Sequence, residues 1–445
     1  MTFKKTVTIV AAAGALTALA VPAMAELTPY ASVRLGAFYD VMDPQTTNSV
    51  KGVGRENQSD FNLDLARNSR VGIKGSTGAI GGVVELGLGS SSVNTTGFTS
   101  GFTLASATTA TNNGGLAANT GHVNNVYTRL IYGTYKFDAG TLLVGQDYSN
   151  NWVASAQTWD ADKGFSGYGS LDNSRQAQIK FTMNNGLYFA AINPSSLNTS
   201  VYAVTIPVLN VGYRSKAGNF DYNFGALYGN AKSYNGNDTV AAAGNLDSYA
   251  SNTLNAYLGY GSGKLTAGPV AFLFNLGYGQ NTGDLGIATG RLGNSTAALN
   301  NDSTVAALTS GVTGNRYIAS TNQNVTTTES FAQVSFQASD TALVNVGVGY
   351  VSDKRKEGRM VRTSTTGATS TVVSLADAKA DNRISAFINA PITIAKGFSV
   401  TPELTYIDEL KDNGNVTINP VTPFDHVAVS QRKEYSIGAK LQMDF

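Results

Sequence analysis

The sequence predicts an all-β fold: a transmembrane antiparallel β-barrel of about sixteen strands, with short turns at one end and long loops at the other. Three observations carry this. The chain ends on a strand of strict two-residue alternation, five internal runs share one apolar face ending in tyrosine, and tight turns take turns with long polar stretches. Each reports which solvent a side chain meets.

The C-terminal segment shows the first. Tyr435, Ile437, Ala439, Leu441, Met443 and Phe445 fall on one face, and Ser436, Gly438, Lys440, Gln442 and Asp444 on the other. That is the period of a strand between two solvents. An edge strand of a soluble protein alternates in the same way. The aromatic last residue, however, resembles the signal by which outer-membrane proteins are recognised for barrel assembly. Tyr435, Ile437, Leu441, Met443 and Phe445 carry that signal.

At the other end, Lys4 and Lys5 precede a small apolar run, Thr6 to Ala20, and Pro22 leads into Ala23-Met24-Ala25. This pattern reads as a cleaved secretory leader over residues 1–25. The run is shorter than the roughly 20 residues that a spanning helix needs. A mature chain over residues 26–445 is expected, exported through the Sec route.

The internal strands repeat one design. Ala31, Val33, Leu35, Ala37 and Tyr39 make an apolar face, as do Phe220, Tyr222, Phe224, Ala226 and Tyr228. So do Val270, Phe272, Phe274, Leu276 and Tyr278, then Ala342 to Tyr350 and Phe398 to Tyr406 in alternate positions. The residues between are mostly Gly, Asn, Ser, Thr and charges. Eight steps of ~3.3 Å, tilted by ~40°, rise about 20 Å, which suits an apolar band of roughly 25 Å capped by aromatic girdles. The tyrosines are expected in one girdle, with Phe220, Phe398 and Phe445 in the other. A soluble sandwich has no reason to end each run on tyrosine at one depth.

Short connections centre on Lys216-Ala217-Gly218-Asn219, Ser339-Asp340-Thr341, Asn184-Asn185-Gly186, Asp138-Ala139-Gly140 and Ala395-Lys396-Gly397. Gly, Asn and Asp supply the conformations that tight turns demand. Long Ser/Thr/Asn/Gly-rich stretches run from Ser91 to Val123, Gly229 to Ser251, Asn281 to Thr327 and Ser352 to Asn382. Short periplasmic turns and long extracellular loops are the asymmetry of such barrels. Fourteen or eighteen strands stay open, because the alternation is imperfect from Phe61 to Lys74 and from Val126 to Phe137. Closing the first strand on the last removes the edges, as lipid requires. A barrel this wide leaves an aqueous channel.

Composition excludes other classes. The chain has no cysteine, and its 31 Lys+Arg nearly cancel its 30 Asp+Glu, so neither disulfides nor a nucleic-acid partner are expected. Only two histidines occur, His122 and His426, and no zinc or phosphate-loop motif is present; Gly261-Ser262-Gly263-Lys264-Leu265 has Leu where a phosphate loop needs Ser or Thr. No cofactor, metal or catalytic residue is expected.

Asn68-Ser69-Arg70-Val71-Gly72-Ile73-Lys74-Gly75, then Gly81-Gly82-Val83-Val84-Glu85-Leu86, and later Gly140-Thr141-Leu142-Leu143-Val144-Gly145-Gln146-Asp147, with the terminal Phe445, resemble the general Gram-negative porin family. The resemblance covers the layout of the mature chain. It implies a homotrimer of 16-stranded barrels in the outer membrane, among lipid and lipopolysaccharide, passing small hydrophilic solutes and ions. It also implies a third loop, residues 146–172, folded inward to narrow the channel.

That loop holds Asp147, Asp160, Asp162 and Asp172 against Lys163, and the wall offers Arg34, Arg70, Lys74, Lys180 and Arg214 at inward parity. Opposed charge arrays of this kind set the selectivity of pores. The plainer reading makes them lumen-facing polar residues that the pattern requires. Asp160-Ala161-Asp162-Lys163-Gly164 is too short for a calcium loop. Trp152 and Trp159 either stack sugars or pin the loop, and pinning is the expectation. The basic run from Asp353 to Arg359, with Arg362, is expected in an outer loop, either solvated or against lipopolysaccharide phosphates. Against the diffusion channel stand a solute-specific channel and an adhesin or structural protein whose function lies in its loops.

Overall fold

In a computed structural model the barrel closes. The structure describes residues 26–44, 58–66, 68–91, 123–151, 158, 169, 171, 175–193, 202–233, 253–285, 315–320, 324–355, 358–364, 370–375, 380–408, 410 and 432–445. The leader, His122, Trp152, Trp159 and His426 lie outside the described residues, as do Asp160, Asp162, Lys163 and Asp172.

The strands run in chain order. First come β1 (Glu26–Pro44), β2 (Gln58–Leu65), β3 (Ser69–Thr77), β4 (Ile80–Ser91), β5 (Val123–Phe137), β6 (Gly140–Tyr148) and β7 (Arg175–Met183). Next are β8 (Leu187–Ile192), β9 (Tyr202–Ala217), β10 (Phe220–Ser233), β11 (Thr253–Ala267) and β12 (Val270–Gln280), followed by a short 3-10 helix, Thr282–Leu285. After β13 (Asn315–Ser320) come β14 (Val325–Ser339), β15 (Ala342–Arg355), β16 (Gly358–Ser364) and β17 (Ser370–Leu375). The last are β18 (Asp381–Asn389), β19 (Ile392–Ala395), β20 (Phe398–Asp408) and β21 (Arg432–Asp444).

Eighteen of these segments form one sheet. β2 and β3 are a single strand interrupted around Ala66, whose N–H turns to Arg34 O at 2.8 Å while its own carbonyl accepts from Ser69 N at 2.9 Å. β18 and β19 are another, broken at Ala390-Pro391, where proline has no N–H for the ladder. Sixteen strands result, as the alternation predicts. The first and last close the ring: β1 pairs with β21 from Ser32↔Asp444 to Pro44↔Arg432, and with β2 and β3 along its other edge. Phe445 and Ala31 exchange both backbone bonds, at 3.0 and 3.3 Å, so the aromatic terminus sits in the seam.

Alternation sorts the two faces. Val33, Leu35, Tyr39, Phe224, Phe272, Leu276, Val346 and Ile437 are exposed on the outside, whereas Arg34, Asn223, Ser262, Asn275, Asn345 and Lys440 are buried on the inside. An apolar exterior over a polar interior is the pattern of a wall between lipid and water. The tyrosines lie at one level, since Tyr228 pairs with Tyr257, Tyr278 with the nearby Gly259, and Tyr406 with Tyr435. Tyr257 and Tyr435 thus join the five that the sequence singles out. Near the short turns, Phe220, Tyr222 and Phe224 stack in series with centroids 5.7 and 6.4 Å apart.

The short turns fall where expected, with Gly218, Gly186 and Gly397 at positive φ. The long stretches differ from expectation in two respects. β10 continues to Ser233 and β15 to Arg355, so Asp353 belongs to the wall and not to an outer loop. In addition, β13, β16 and β17 pair into a separate three-stranded sheet, with Tyr317↔Arg362 and Val361↔Val372 in register. Their β-branched residues, Ile318, Val361, Thr363, Val372 and Val373, favour extended chain even inside a Thr/Ser-rich stretch. Of the basic run, Asp353 to Arg355 therefore lie in β15 and Gly358, Arg359 and Arg362 in β16. Gly261 to Leu265 lies within β11, a strand that offers no phosphate cradle.

Candidate functional site: the lumen wall and the chain that crosses it

The polar interior carries a cluster of positive charge on one side. Arg70 and Lys74 on β3, Lys180 on β7 and Arg214 on β9 point inward, as their parity predicts, and Arg34 on β1 is buried with its Nε donating to Ser32 Oγ at 3.2 Å.

A bulge adds a further arginine. Between β4 and β5 the register shifts at Glu85/Leu86: Glu85 pairs with Leu130 and Leu86 with Thr128, which makes Arg129 the extra residue of a bulge. Counted from the outward Ile131, Arg129 has lipid parity. The bulge re-aims it, and it is buried with Nε 2.6 Å from Glu85 Oε1. Glu85 also accepts from Tyr30 Oη at 2.8 Å and lies 3.6 Å from Arg70 Nε. One buried carboxylate thus faces two guanidinium groups. Sequence reading missed Glu85 and Arg129. The signal was the broken alternation from Val126 to Phe137, which a charge at lipid parity makes intelligible.

Asp147 lies on β6 within the wall itself, with Oδ2 3.4 Å from Lys180 Nζ on the neighbouring strand. It neutralises the basic side locally and does not face it across the lumen. Above Ile131↔Gln146, β5 and β6 part, and Gln146 satisfies the freed carbonyls of Thr128 and Arg129 at 3.1 and 2.9 Å. Arg129 reaches Tyr148 Oη at 3.2 Å in that gap, and Arg175 lies over the Tyr127 and Tyr148 rings at 6.0 and 5.8 Å.

From Tyr148 the chain turns into the lumen. Asn150 O accepts from Asn223 Nδ2 at 2.8 Å and from Arg214 at 3.2 Å, and Asn151 Nδ2 donates to Leu171 O. Tyr188 and Tyr260 support this seat with a hydroxyl contact of 2.6 Å, and Tyr188 donates on to Asn223 at 2.8 Å. Gly169 O accepts from Asn275 Nδ2 of β12 at 3.0 Å, and Gly169 itself lies against Ser330 of β14 and Tyr350 of β15. The segment leaves at β6 and touches the wall on the far side, so it crosses the lumen. Leu171 lies in an apolar cluster with Ile192, Val208, Leu227, Leu258 and Leu285 of the 3-10 helix.

Among the described residues, the far wall holds most of the inward carboxylates away from the basic side. Glu329 on β14, Asp353 on β15 and Glu403 on β20 are buried, with Arg383 and Lys440 among them. Thr327 Oγ1 donates to Asp353 at 2.6 Å, and Asn389 and Thr405 each donate to Glu403 at 3.2 Å. Of the ten residues that the sequence proposes for the constriction, the structure places Arg34, Arg70, Lys74, Lys180 and Arg214 on the lumen side and Asp147 beside Lys180. The other four lie outside the described residues.

No protein-family model and no curated protein matches the sequence. Solved structures do match in fold. The outer membrane channel DcaP of Acinetobacter baumannii superposes with a TM-score of 0.54 at 14% identity, over 96% of this chain and 99% of that one. An OmpF of Salmonella typhi in complex with daunomycin gives 0.47 at 13% identity, over 94% and 97%. An anion-selective porin from Comamonas acidovorans gives 0.45 at 9% identity, over 95% and 100%. The DcaP likeness supports the fold of the whole wall.

Proposed function

We propose that the chain is an outer-membrane porin, a passive channel for small hydrophilic solutes and ions. The observation that carries this reading is a closed sixteen-strand wall with a polar interior, inside which Asn150 is held on β9 and β10 and Gly169 on the far wall at β12, β14 and β15. A wall this wide does not fill with side chains, so the crossing segment sets the aperture.

Charge gives the aperture a direction. Arg70, Lys74, Arg129, Lys180 and Arg214 outnumber Glu85 and Asp147 on β3 to β9, whereas on β15 to β21 Asp353 and Glu403 lie among Arg383 and Lys440, so the excess of positive charge is on the β3 to β9 side. Asp160, Asp162, Lys163 and Asp172 add their charges on residues 146–172. A transverse field between the walls orders water and penalises apolar solutes. The alternating Tyr435, Ile437, Leu441, Met443 and Phe445 serve as the barrel-assembly signal, and the apolar exterior sits in outer-membrane lipid and lipopolysaccharide. A homotrimer rests on the resemblance of residues 68–75 and 81–86 to the porin pattern. Catalysis has no part in this reading.

Single-channel recording in a planar bilayer under a salt gradient tests it. Large ohmic steps, grouped in threes, are the expected result, and the zero-current potential then reports which wall dominates. Folded, heat-modifiable protein that conducts nothing would overturn the reading and move attention to the outer segments.

A further inference from the structure

We infer that Gly169 and Leu171 are positioning residues that set the size limit of the pore, by docking the crossing segment into two sockets on the far wall. The inference rests on the porin reading and adds which side chains fix the aperture.

The first socket is made of backbone. Gly169 has φ +90, a region that residues with a side chain avoid. A Cβ there would overlap Ser330 O and lie 2.6 Å from Tyr350 N and 3.0 Å from Gly349 Cα. These are main-chain atoms of two paired strands and cannot move aside. Asn275 Nδ2 completes the socket by donating to Gly169 O at 3.0 Å. Any side chain at position 169 therefore pushes the segment away from the wall.

The second socket is apolar. Gly277 on β12 presents no side chain to the lumen, and Leu171 Cδ2 occupies the space its Cβ would take. Leu258 flanks the same space, and Leu171 is only 2% exposed in a cluster that includes Leu227 and Leu285. Asn151 ties Leu171 O back to the root of the segment. An apolar side chain inside a water-filled barrel finds few such places, so the seat is specific. Two sockets two residues apart, one admitting no side chain and one requiring an apolar one, fix both the distance of the segment from the wall and its rotation.

Gly169→Val, Leu171→Asn and Asn275→Ala are tested by liposome swelling and single-channel exclusion of neutral polyethylene glycols of graded size. The expected result is a shift of the size limit to larger polymers and a rise in conductance, largest for Gly169→Val and smallest for Asn275→Ala, with heat-modifiability retained. A purely structural role would lower the folded yield and leave the size limit of the folded fraction unchanged, which would overturn the inference. Should Gly169→Val fail to fold, Asn275→Ala removes one hydrogen bond from the same socket and carries the test.

A second measurement needs no conduction. The chain has no cysteine, so Leu171→Cys reports its own burial to a membrane-impermeant maleimide. Slow modification in folded protein, accelerated by Gly169→Val, is expected. Modification as fast as in the denatured chain would overturn the inference. A wild-type protein that conducts nothing while Leu171→Cys stays protected would instead overturn the porin reading.

Discussion

The two halves of the wall are built by different rules. In β9 to β12 and in β14 and β15 the strands are long and their shared turns tight, and register shifts fall only near strand ends, at Tyr228–Ala231 and Gln337–Ser339, so inside and outside follow from parity through the span. From β2 to β7 the pattern fails repeatedly: at the interruption around Ala66, at the bulge that turns Arg129 inward, and where β5 and β6 part at Gln146. Glu85, Arg129, Tyr148 and the root of the crossing segment gather at those failures. The regular half acts as scaffold and as receiving wall, and the irregular half carries the groups that shape the lumen. Local rules are broken where function needs a side chain that the regular pattern would misdirect.

The comparison breaks most visibly if the regular half tolerates charge outside. Val346→Arg, on the lipid face of β15, should destabilise the folded barrel by ~2–4 kcal/mol, whereas Thr266→Lys, at an exposed position on the lumen face of β11, should be nearly neutral. Denaturant titration in lipid vesicles measures both, and equal sensitivity of the two sites would refute the parity assignment.

In the irregular half the largest effect should come from Glu85→Ala. It strips Arg129 and Arg70 of their shared carboxylate and should cost about 1.5–3 kcal/mol, the range for hydrogen bonds to charged groups. It should also move the zero-current potential toward anions, because a negative charge beside two guanidinium groups is removed from the wall. Glu85→Gln keeps an acceptor for Tyr30, so it should show the potential shift with a smaller loss of stability. A potential that does not move would place Glu85 outside the ion path.

A smaller effect is expected where the halves meet. Tyr188→Phe removes the hydroxyl that touches Tyr260 and donates to Asn223, which should cost about 1 kcal/mol. Single-channel noise should rise as Asn223 loses its hold on Asn150; noise at the wild-type level would mean that the crossing segment does not depend on this network.

The smallest effect sharpens the contrast from the surface side. Lys216 and Asp221 lie 3.7 Å apart at the short-turn rim with both side chains more than half exposed. Breaking such a pair by Lys216→Ala should change stability by ~0–1 kcal/mol. A loss comparable to that of Glu85→Ala would show that the rim is far drier than its exposure indicates.

Much of the wall was legible beforehand because it depends on one variable, the solvent that each alternate residue meets. The five tyrosine-ended faces, the tight turns and the seam strand ending at Phe445 follow from period and composition. The lumen side of Arg34, Arg70, Lys74, Lys180 and Arg214 followed from parity as well. What parity could not show is a change of parity. Arg129 has lipid parity by simple count and is turned inward by the bulge, and Asp147 is expected opposite Lys180 but lies on the neighbouring strand. β13, β16 and β17 hid in long polar stretches because strands of six or seven residues give little signal among Ser and Thr.

The sequence by itself thus determined the barrel, its girdle and its polar interior, because lipid outside and water inside impose a period of two on any strand between them. Only the tertiary structure decided what occupies that interior. Gly169 and Leu171 find their sockets at Ser330, Tyr350, Asn275 and Gly277, residues more than a hundred positions away in the chain. Contacts between residues that far apart depend on how the closed wall brings opposite strands to face each other, which a local periodicity cannot express.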